Sequence, residues 1–200
     1  MMVRQLILMQ TLVFGFIGCA VLEAAEPIQE SATINALLSK FDASDWPWWR
    51  GPHRNGIAAD GQAPATKWDE SSNIKWKTMI PGRGHGSVTV VGDQVLLITA
   101  DHDKETQLVI CLDRETGQEK WQSVVHEGNL EKKGNKKASQ ASGTVACDGE
   151  RFFVNFLNDK AAWTTALDRQ GKQLWQTKIT DYRVHQGYGS SPAIYGPLVI

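Results

Sequence analysis

The sequence predicts an all-β fold of repeated four-stranded antiparallel sheets, and three observations support it. The first is a pattern that occurs twice, in which an aspartate precedes a glycine turn and then a tryptophan. The second is a series of short apolar runs between glycine and aspartate turns, with no helical period from residue 74 to 200. The third is a spacing of roughly 40–50 residues per unit, which is typical of β-propeller blades. The two copies of the pattern are Asp113, Gly117, Trp121 and Asp168, Gly171, Trp175.

Two complete blades and the start of a third are assigned in order along the chain. Each blade begins with two strands joined by a tight turn, Gly92-Asp93 in the first and Asp148-Gly149 in the second. Glycine supplies the positive φ that a two-residue hairpin needs. A strand at Asn73–Lys77 is expected ahead of the first blade, as the closing strand of the last blade of a ring. The strand-bearing stretches are 86–99, 107–113 and 118–121, then 142–154, 161–168 and 172–175, and a third unit opens at residue 190.

The recurring aspartates, glycines and tryptophans have structural roles in this interpretation. An aspartate carboxylate can accept backbone N–H bonds within its turn. A blade buries its two apolar faces only against neighbouring blades, and a tryptophan brings ~150–250 Å² of surface for that purpose. The alternative is that these are ordinary core aromatics of a β-sandwich. The residues predicted to dock the blades are Trp76, Asp113, Gly117, Trp121, Asp168, Gly171 and Trp175.

The N-terminal residues 1–25 have the pattern of a secretory signal peptide. Arg4 precedes an apolar run at Leu6–Gly18, and small residues follow. The run is shorter than the ~20 residues that a membrane-spanning helix needs. Cys19 follows Gly18 as in a bacterial lipobox, which would make it a lipidation site, whereas cleavage after Ala20 or Ala25 would discard it. We expect an exported protein of the periplasm or cell envelope.

Residues 26–73 form a lead-in segment ahead of blades that span 74–200. A short helical pattern ends near Phe41, and three tryptophans follow between residues 46 and 49 among prolines and glycines that forbid a regular element. The large apolar side chains of these tryptophans are expected to be buried from water, so the segment is expected to lie against an apolar surface. Cys111 and Cys147 sit in apolar runs, which favours buried free thiols.

Charge and motifs exclude several classes of function. The net charge of −1 offers no basic excess for a nucleic-acid partner. Gly82, Gly84 and Gly86 neither follow a strand nor open a helix, so they form no phosphate-binding fingerprint. The three adjacent residues around His102 cannot all face one ion, and no metal site is predicted.

The loops that lead into the innermost strands are where a propeller gathers ligand-binding groups. Two of these loops contain an arginine and a histidine separated by one residue. Arginine offers a planar fork of donors and histidine titrates near neutrality, so together they suit an anionic or quinone-like ligand. Solvated loop tips are the alternative. The candidate ligand-binding residues are Arg83, His85, Arg183, His185 and Tyr188.

The run Cys111–Trp121 resembles the quinoprotein-type, pyrroloquinoline-quinone-like (PQQ-like) propeller repeat, Ala-x-Asp-x-x-Thr-Gly-x-x-x-Trp. Cys111 replaces the alanine, and Ala166–Trp175 lacks one residue and the threonine. The lead-in from Trp49 to Gly56 is similar to the head of secreted planctomycete-type propeller proteins. The resemblance covers about residues 45–200 and points to a BamB-like family.

This resemblance implies a fold more strongly than a function. The same repeat occurs in quinone-dependent alcohol dehydrogenases, in the BamB-like scaffold of outer-membrane protein assembly and in sensor domains beside kinases. The dehydrogenases hold their quinone with adjacent cysteines, a tryptophan floor and a calcium bound by Glu, Asn and Asp. This sequence has no adjacent cysteine pair and no Cys-x-x-Cys-His motif.

The favoured hypothesis is therefore an exported, non-catalytic propeller that binds a protein or other macromolecule at one face. It has no evident catalytic residue or cofactor, no nucleic-acid partner, and no membrane contact beyond its signal peptide or lipid anchor. The alternative is a periplasmic alcohol or sugar dehydrogenase that uses PQQ and calcium. A closed propeller has about 4–8 blades, so the chain is expected to be the N-terminal fragment of a seven- or eight-bladed ring.

Overall fold

The computed structural model describes residues 36–131, 135 and 137–200. The signal peptide, the cleavage positions and Cys19 lie outside these residues. No helix in the described part of the chain is long and apolar enough to cross a membrane.

The described residues form two four-stranded antiparallel sheets and one two-stranded sheet, which confirms the all-β prediction. We call each four-stranded sheet a blade, and the strands of each follow one another in sequence order. Blade 1 contains β1 (Thr89–Val91), β2 (Gln94–Asp101), β3 (Thr106–Asp113) and β4 (Glu119–Glu127). Blade 2 contains β5 (Ala146–Cys147), β6 (Arg151–Asn158), β7 (Ala161–Asp168) and β8 (Gln173–Asp181). The third unit contains β9 (Ile194–Tyr195) and β10 (Leu198–Val199).

The two blades repeat each other down to their irregularities. Gln94 pairs with Asp113 in blade 1, and Arg151 pairs with Asp168 in blade 2. In each blade the pairing of the third and fourth strands shifts register twice, once next to the aspartate turn and once near the opposite end. The repeat in the sequence is therefore a repeat of backbone geometry.

The middle strands of each blade supply the core. In β2, β3, β6 and β7 nearly every side chain is buried, because both faces of the blade are covered. The outer strands β4 and β8 carry mostly exposed side chains. One buried cluster joins the blades, and it includes Leu96 of blade 1 and Phe152 of blade 2. Apolar burial between blades thus holds the two sheets together.

The described residues leave one sequence-based expectation untested, the strand with partners beyond residue 200, and they correct another. Residues 74–80 form no strand, because none of the described residues pairs with them as a neighbouring strand. The two-residue loop of blade 2 is Gly149-Glu150 rather than Asp148-Gly149, since the Asp148 N–H donates to the Arg151 carbonyl. Gly149, with φ +96°, then occupies the same position as Gly92 in blade 1, with φ +58°.

Candidate functional site

The loops that lead into the innermost strands β1, β5 and β9 are joined by hydrogen bonds. The His85 N–H of the first loop donates to the Ala141 carbonyl of the second at 2.9 Å. Asn135 Nδ2 of the second loop donates to Gln186 Oε1 of the third at 3.0 Å. These bonds connect consecutive loops, so the loops form one continuous face, which we call the strand-entrance face.

The five predicted ligand-binding residues all lie on this face but do not converge. Arg83 lines a cavity of about 450 Å³ and Arg183 lines another of about 650 Å³. His85 lines a third cavity, of about 400 Å³, while His185 contacts the side chain of its neighbour in sequence. Burial raises the pKa of Tyr188, which is half-buried. Shared binding of one anionic ligand by these side chains stays a prediction.

The cavity beside His85 is a groove that crosses all three units. We call it the hydroxyl groove, because its walls are mainly serine and threonine side chains from the residues that lead into β1, β5 and β9. The exposed indole of Trp49, from the lead-in segment, forms one side. The lining consists of Trp49, His85, Ser87, Ser142, Thr144, Gly189, Ser190 and Ser191.

Hydrogen bonds repeat from unit to unit along this groove. The Ser87 N–H donates to Thr144 Oγ1 at 3.3 Å, and the Thr144 N–H donates to Ser191 Oγ at 2.9 Å. Each hydroxyl therefore holds the backbone of the preceding unit. This repetition fixes the spacing of three consecutive innermost strands.

Glycine makes the close approach of these strands feasible. A Cβ on Gly86 would overlap the carbonyl oxygen of Gly143, and a Cβ on Gly143 would lie 2.9 Å from the carbonyl oxygen of Ser190. Backbone therefore packs directly against backbone where neighbouring units meet. Larger residues at these two positions would force the units apart.

The aspartate–glycine turns form the contact between neighbouring units. Trp121 Nε1 of blade 1 donates to the Arg169 carbonyl of blade 2 at 3.1 Å, and Trp76 Nε1 donates to the Arg114 carbonyl of blade 1 at 3.0 Å. We call each turn, residues 113–117 and 168–171, a docking socket. A Cβ on the glycine of either socket would collide with the indole seated there.

The socket aspartates organise their turns as hydrogen-bond acceptors. Asp113 Oδ1 accepts the backbone N–H groups of Glu115 and Thr116 at 3.0 and 2.8 Å. The bond from the Thr116 backbone is the main cause that lowers the pKa of Asp113. Asp168 Oδ1 accepts the N–H groups of Gln170 and Lys172, both at 2.9 Å. These bonds hold the turn in the shape that receives the tryptophan.

Trp175, the third predicted docking tryptophan, lies in a different environment. It is 37 % exposed and packs against Phe153 of its own blade at 6.0 Å between ring centroids. Trp121, by contrast, packs against Phe152 of the neighbouring blade 2 at 6.1 Å and is seated in the socket of that blade. Trp175 thus packs against its own blade, and no socket among the described residues receives it.

Two arginines that the sequence interpretation did not single out complete the sockets. Arg114 Nη1 donates to the Gly92 carbonyl, and Arg169 Nη1 donates to the Gly149 carbonyl, both at 3.2 Å. These carbonyls occupy equivalent positions in the two blades. Each arginine directly follows the socket aspartate, and that repeated position is the sequence signal that could have identified it.

The lead-in segment crosses the inner edge of the blades. Trp46 exchanges two backbone hydrogen bonds with Val90 of β1, at 2.7 and 3.0 Å. The Pro47 carbonyl then accepts the Cys147 N–H of β5, and the Arg54 guanidinium donates to the Ile194 carbonyl of β9. Trp48 is buried, as the sequence indicated for the motif, whereas Trp49 is 56 % exposed.

Buried titratable groups lie between the blades rather than in the groove. Cys111 and Cys147 are free and buried, as predicted, and burial raises both thiol pKa values to about 11. Burial also lowers the pKa of His126 to about 4, because the ring is packed edge-on between Phe156 and Trp163. None of these groups is poised for chemistry at neutral pH.

Comparison with known proteins identifies the family. Residues 52–199 match the family model described as outer membrane protein assembly factor BamB. The chain belongs to this family of PQQ-like β-propeller repeat proteins. The match covers the lead-in after Trp49 and all ten strands.

Individual relatives of this BamB-like chain are distant. It is 25 % identical over 149 residues to polyvinylalcohol dehydrogenase of Sphingopyxis sp. (strain 113P3), covering 74 % of this chain and 21 % of that protein. The chain therefore spans about a fifth of the length of this curated relative. The crystal structure of BamB from Moraxella catarrhalis matches 52 % of this chain and 28 % of its own, at 16 % identity and a TM-score of 0.37. A europium-containing methanol dehydrogenase matches 52 % of this chain and 19 % of its own, also at 16 % identity and a TM-score of 0.37.

Proposed function

We propose that this chain is part of an exported binding or scaffold protein that holds another macromolecule on its strand-entrance face. The observation that carries the proposal is the continuity of this face across three units. Backbone N–H groups donate to hydroxyls of the next unit at Ser87 and at Thr144. A face tied together in this way is preorganised, so binding to it loses little conformational entropy.

The BamB-like family supports the proposal, because the family is described as that of an outer membrane protein assembly factor. An envelope location is part of the same proposal, and the signal-peptide pattern of residues 1–25 favours it. Cys19→Ala would separate the two routes of export. Lipidation predicts loss of the membrane-bound fraction in this variant, whereas ordinary cleavage predicts no change in fractionation.

Site-specific photo-crosslinking tests the binding role. A photoreactive residue replaces His85 on the strand-entrance face of the full-length protein, and the control carries it at Val124 on β4, which is 52 % exposed. The proposal predicts that one macromolecule from the cell envelope is cross-linked reproducibly from position 85 and not from position 124. Equal products from both positions, or none from position 85, would contradict it.

A second candidate function is oxidation of an alcohol by a quinone-dependent dehydrogenase. The relative named polyvinylalcohol dehydrogenase favours it. The described residues do not fit the quinone and calcium that the dehydrogenase resemblance implies. Cys111 and Cys147 lie in different blades, and no group of three or more His, Cys, Asp or Glu side chains suited to a metal occurs among residues 36–131, 135 and 137–200.

Dye-linked turnover distinguishes the two functions. The full-length protein is assayed with alcohols and sugars, with and without added PQQ and calcium. The binding role predicts no turnover under either condition. Turnover that requires both additions would replace the binding role by the second candidate.

A further inference from the structure

The hydroxyl groove has a donor arrangement that points to a particular ligand chemistry. Thr144 Oγ1 and Ser191 Oγ each accept a backbone N–H bond from the preceding unit. A hydroxyl oxygen that accepts such a bond still has its own proton to donate. The groove wall thus offers O–H donors from consecutive units.

A buried serine orients a third donor. Ser139 is fully buried, and its Oγ accepts the Ala141 N–H at 3.3 Å. Its own proton needs an acceptor, because a buried hydroxyl is rarely left unpaired. Ser142 Oγ lies 3.0 Å away, so the two hydroxyls share one hydrogen bond. Ser142 lines the groove, so this bond fixes a further hydroxyl in the groove wall.

Trp49 adds an apolar face to these donors. Its indole is 56 % exposed, even though the Arg50 guanidinium lies 5.6 Å from the ring centroid. That guanidinium is held by the Asn55 carbonyl at 3.2 Å. A large exposed aromatic ring beside a few placed polar groups is typical of a ligand site.

We propose that the hydroxyl groove binds a neutral polyhydroxylated chain, an oligosaccharide. A sugar ring has a face of C–H bonds that stacks on an indole and a rim of hydroxyls that accept and donate hydrogen bonds. The side chains in the groove wall are hydroxyls, one indole and one imidazole, and this set suits a neutral polyol better than a polyanion. This inference rests on the proposed binding role, because it names the ligand class of that face.

Calorimetric titration of the full-length protein with neutral hexasaccharides tests the inference. The panel contains α-1,4-glucan, β-1,4-glucan and chitin-type hexamers, with hexagalacturonate as the polyanionic comparison. Binding of at least one neutral hexamer is expected, weakened more than tenfold in Trp49→Ala and in part in Trp49→Phe. Trp68→Ala is the matched control, because Trp68 is 68 % exposed and does not line the groove.

The outcomes separate this inference from the proposed function. Absence of binding by every neutral hexamer, tighter binding of hexagalacturonate, or an equal loss in Trp68→Ala would overturn the oligosaccharide site. If specific cross-linking from position 85 persists in that case, only the ligand class is wrong. If both fail, the binding role fails with it.

Discussion

The two docking sockets receive tryptophans from very different neighbours. Trp121, in the socket of blade 2, comes from strand β4 of a complete blade, whereas Trp76, in the socket of blade 1, comes from a segment without strand structure. The indole hydrogen bonds are nevertheless almost the same, at 3.1 and 3.0 Å. The two sockets therefore hold their indoles with the same hydrogen bond, although only one of these tryptophans lies on a strand among the described residues.

The arginines extend this comparison to the inner side of the blades. Arg169 reaches Gln94 and the Val91 carbonyl of blade 1. Arg114 has no preceding blade among the described residues and reaches the Ser44 carbonyl and the buried Asp45 of the lead-in. Among the described residues, the lead-in thus supplies to Arg114 the kind of contacts that blade 1 supplies to Arg169.

Removal of the docked indoles is expected to lower the free energy of unfolding more than any other change proposed here. Trp121→Ala should lower the free energy of unfolding by about 3 kcal/mol, because it empties a packed site and leaves the Arg169 carbonyl without its donor. Trp76→Ala should cost nearly as much if the sockets are equivalent. Trp175→Ala should cost about 1 kcal/mol in the 200-residue chain, since no socket among the described residues encloses that ring. Urea denaturation of the three variants checks this order, and an effect of Trp76→Ala as small as that of Trp175→Ala would break the comparison.

Substitution of the socket glycines is expected to cause the second-largest loss of stability. Gly171 and Gly117 have φ of +84° and +71°, and an added Cβ meets the docked indole. Either Gly→Ala change should cost about 2 kcal/mol, from backbone strain and displacement of the ring. Gly92→Ala separates the two causes, because Gly92 also has a positive φ but nothing lies within 4 Å of the added Cβ. We expect about 1 kcal/mol there, and the same loss at all three positions would show that the indole plays no part.

A pH dependence should distinguish the interface between blades 1 and 2 from that between blade 1 and the lead-in. His126 lies only at the former, and its folded-state pKa of about 4 is below the ordinary value of 6.5. The unfolded chain therefore binds a proton first, so stability should fall as pH drops from 6.5 to 4. About 1–2 kcal/mol is expected, allowing for partial exposure. His126→Phe should remove the fall in this window, and an unchanged slope in that variant would exclude His126 as its cause.

The smallest effect is expected from thiol reagents. Cys111 and Cys147 have pKa values raised to about 11 and lie buried between the blades. A thiol reacts as its thiolate, so neither should be labelled by a maleimide at pH 7.5 in the folded protein. Both should be labelled after denaturation. Rapid labelling of Cys147 alone in the native protein would show that the blade interface opens.

The fold could be predicted because its signals are local. The Asp–Gly–Trp pattern at 113–121 and 168–175 determines turn, strand and docking residue within a few positions of sequence. The strand expected at Asn73–Lys77 stays a prediction, because the strands that it was expected to pair with lie beyond residue 200. Sequence also did not distinguish buried Trp48 from exposed Trp49, since the segment has no period from which to read a face.

The site was less predictable for the same reason. The arginines and histidines were selected because charged loop residues suggest binding, yet Arg83 and Arg183 line separate cavities. The groove instead depends on small hydroxyl residues such as Thr144 and Ser191, which resemble ordinary strand residues in sequence. Their role comes from contacts between units that are far apart in the chain.

A double-mutant cycle at each socket tests the central claim, that the two sockets are equivalent. The coupling free energy is measured between Trp121→Ala and Gly171→Ala, and between Trp76→Ala and Gly117→Ala. Because the added Cβ costs stability through the indole, each pair should show coupling of about 1 kcal/mol, equal within about 0.5 kcal/mol. Coupling at Trp121 and Gly171 with none at Trp76 and Gly117 would contradict the claim and show that the two sockets hold their indoles differently.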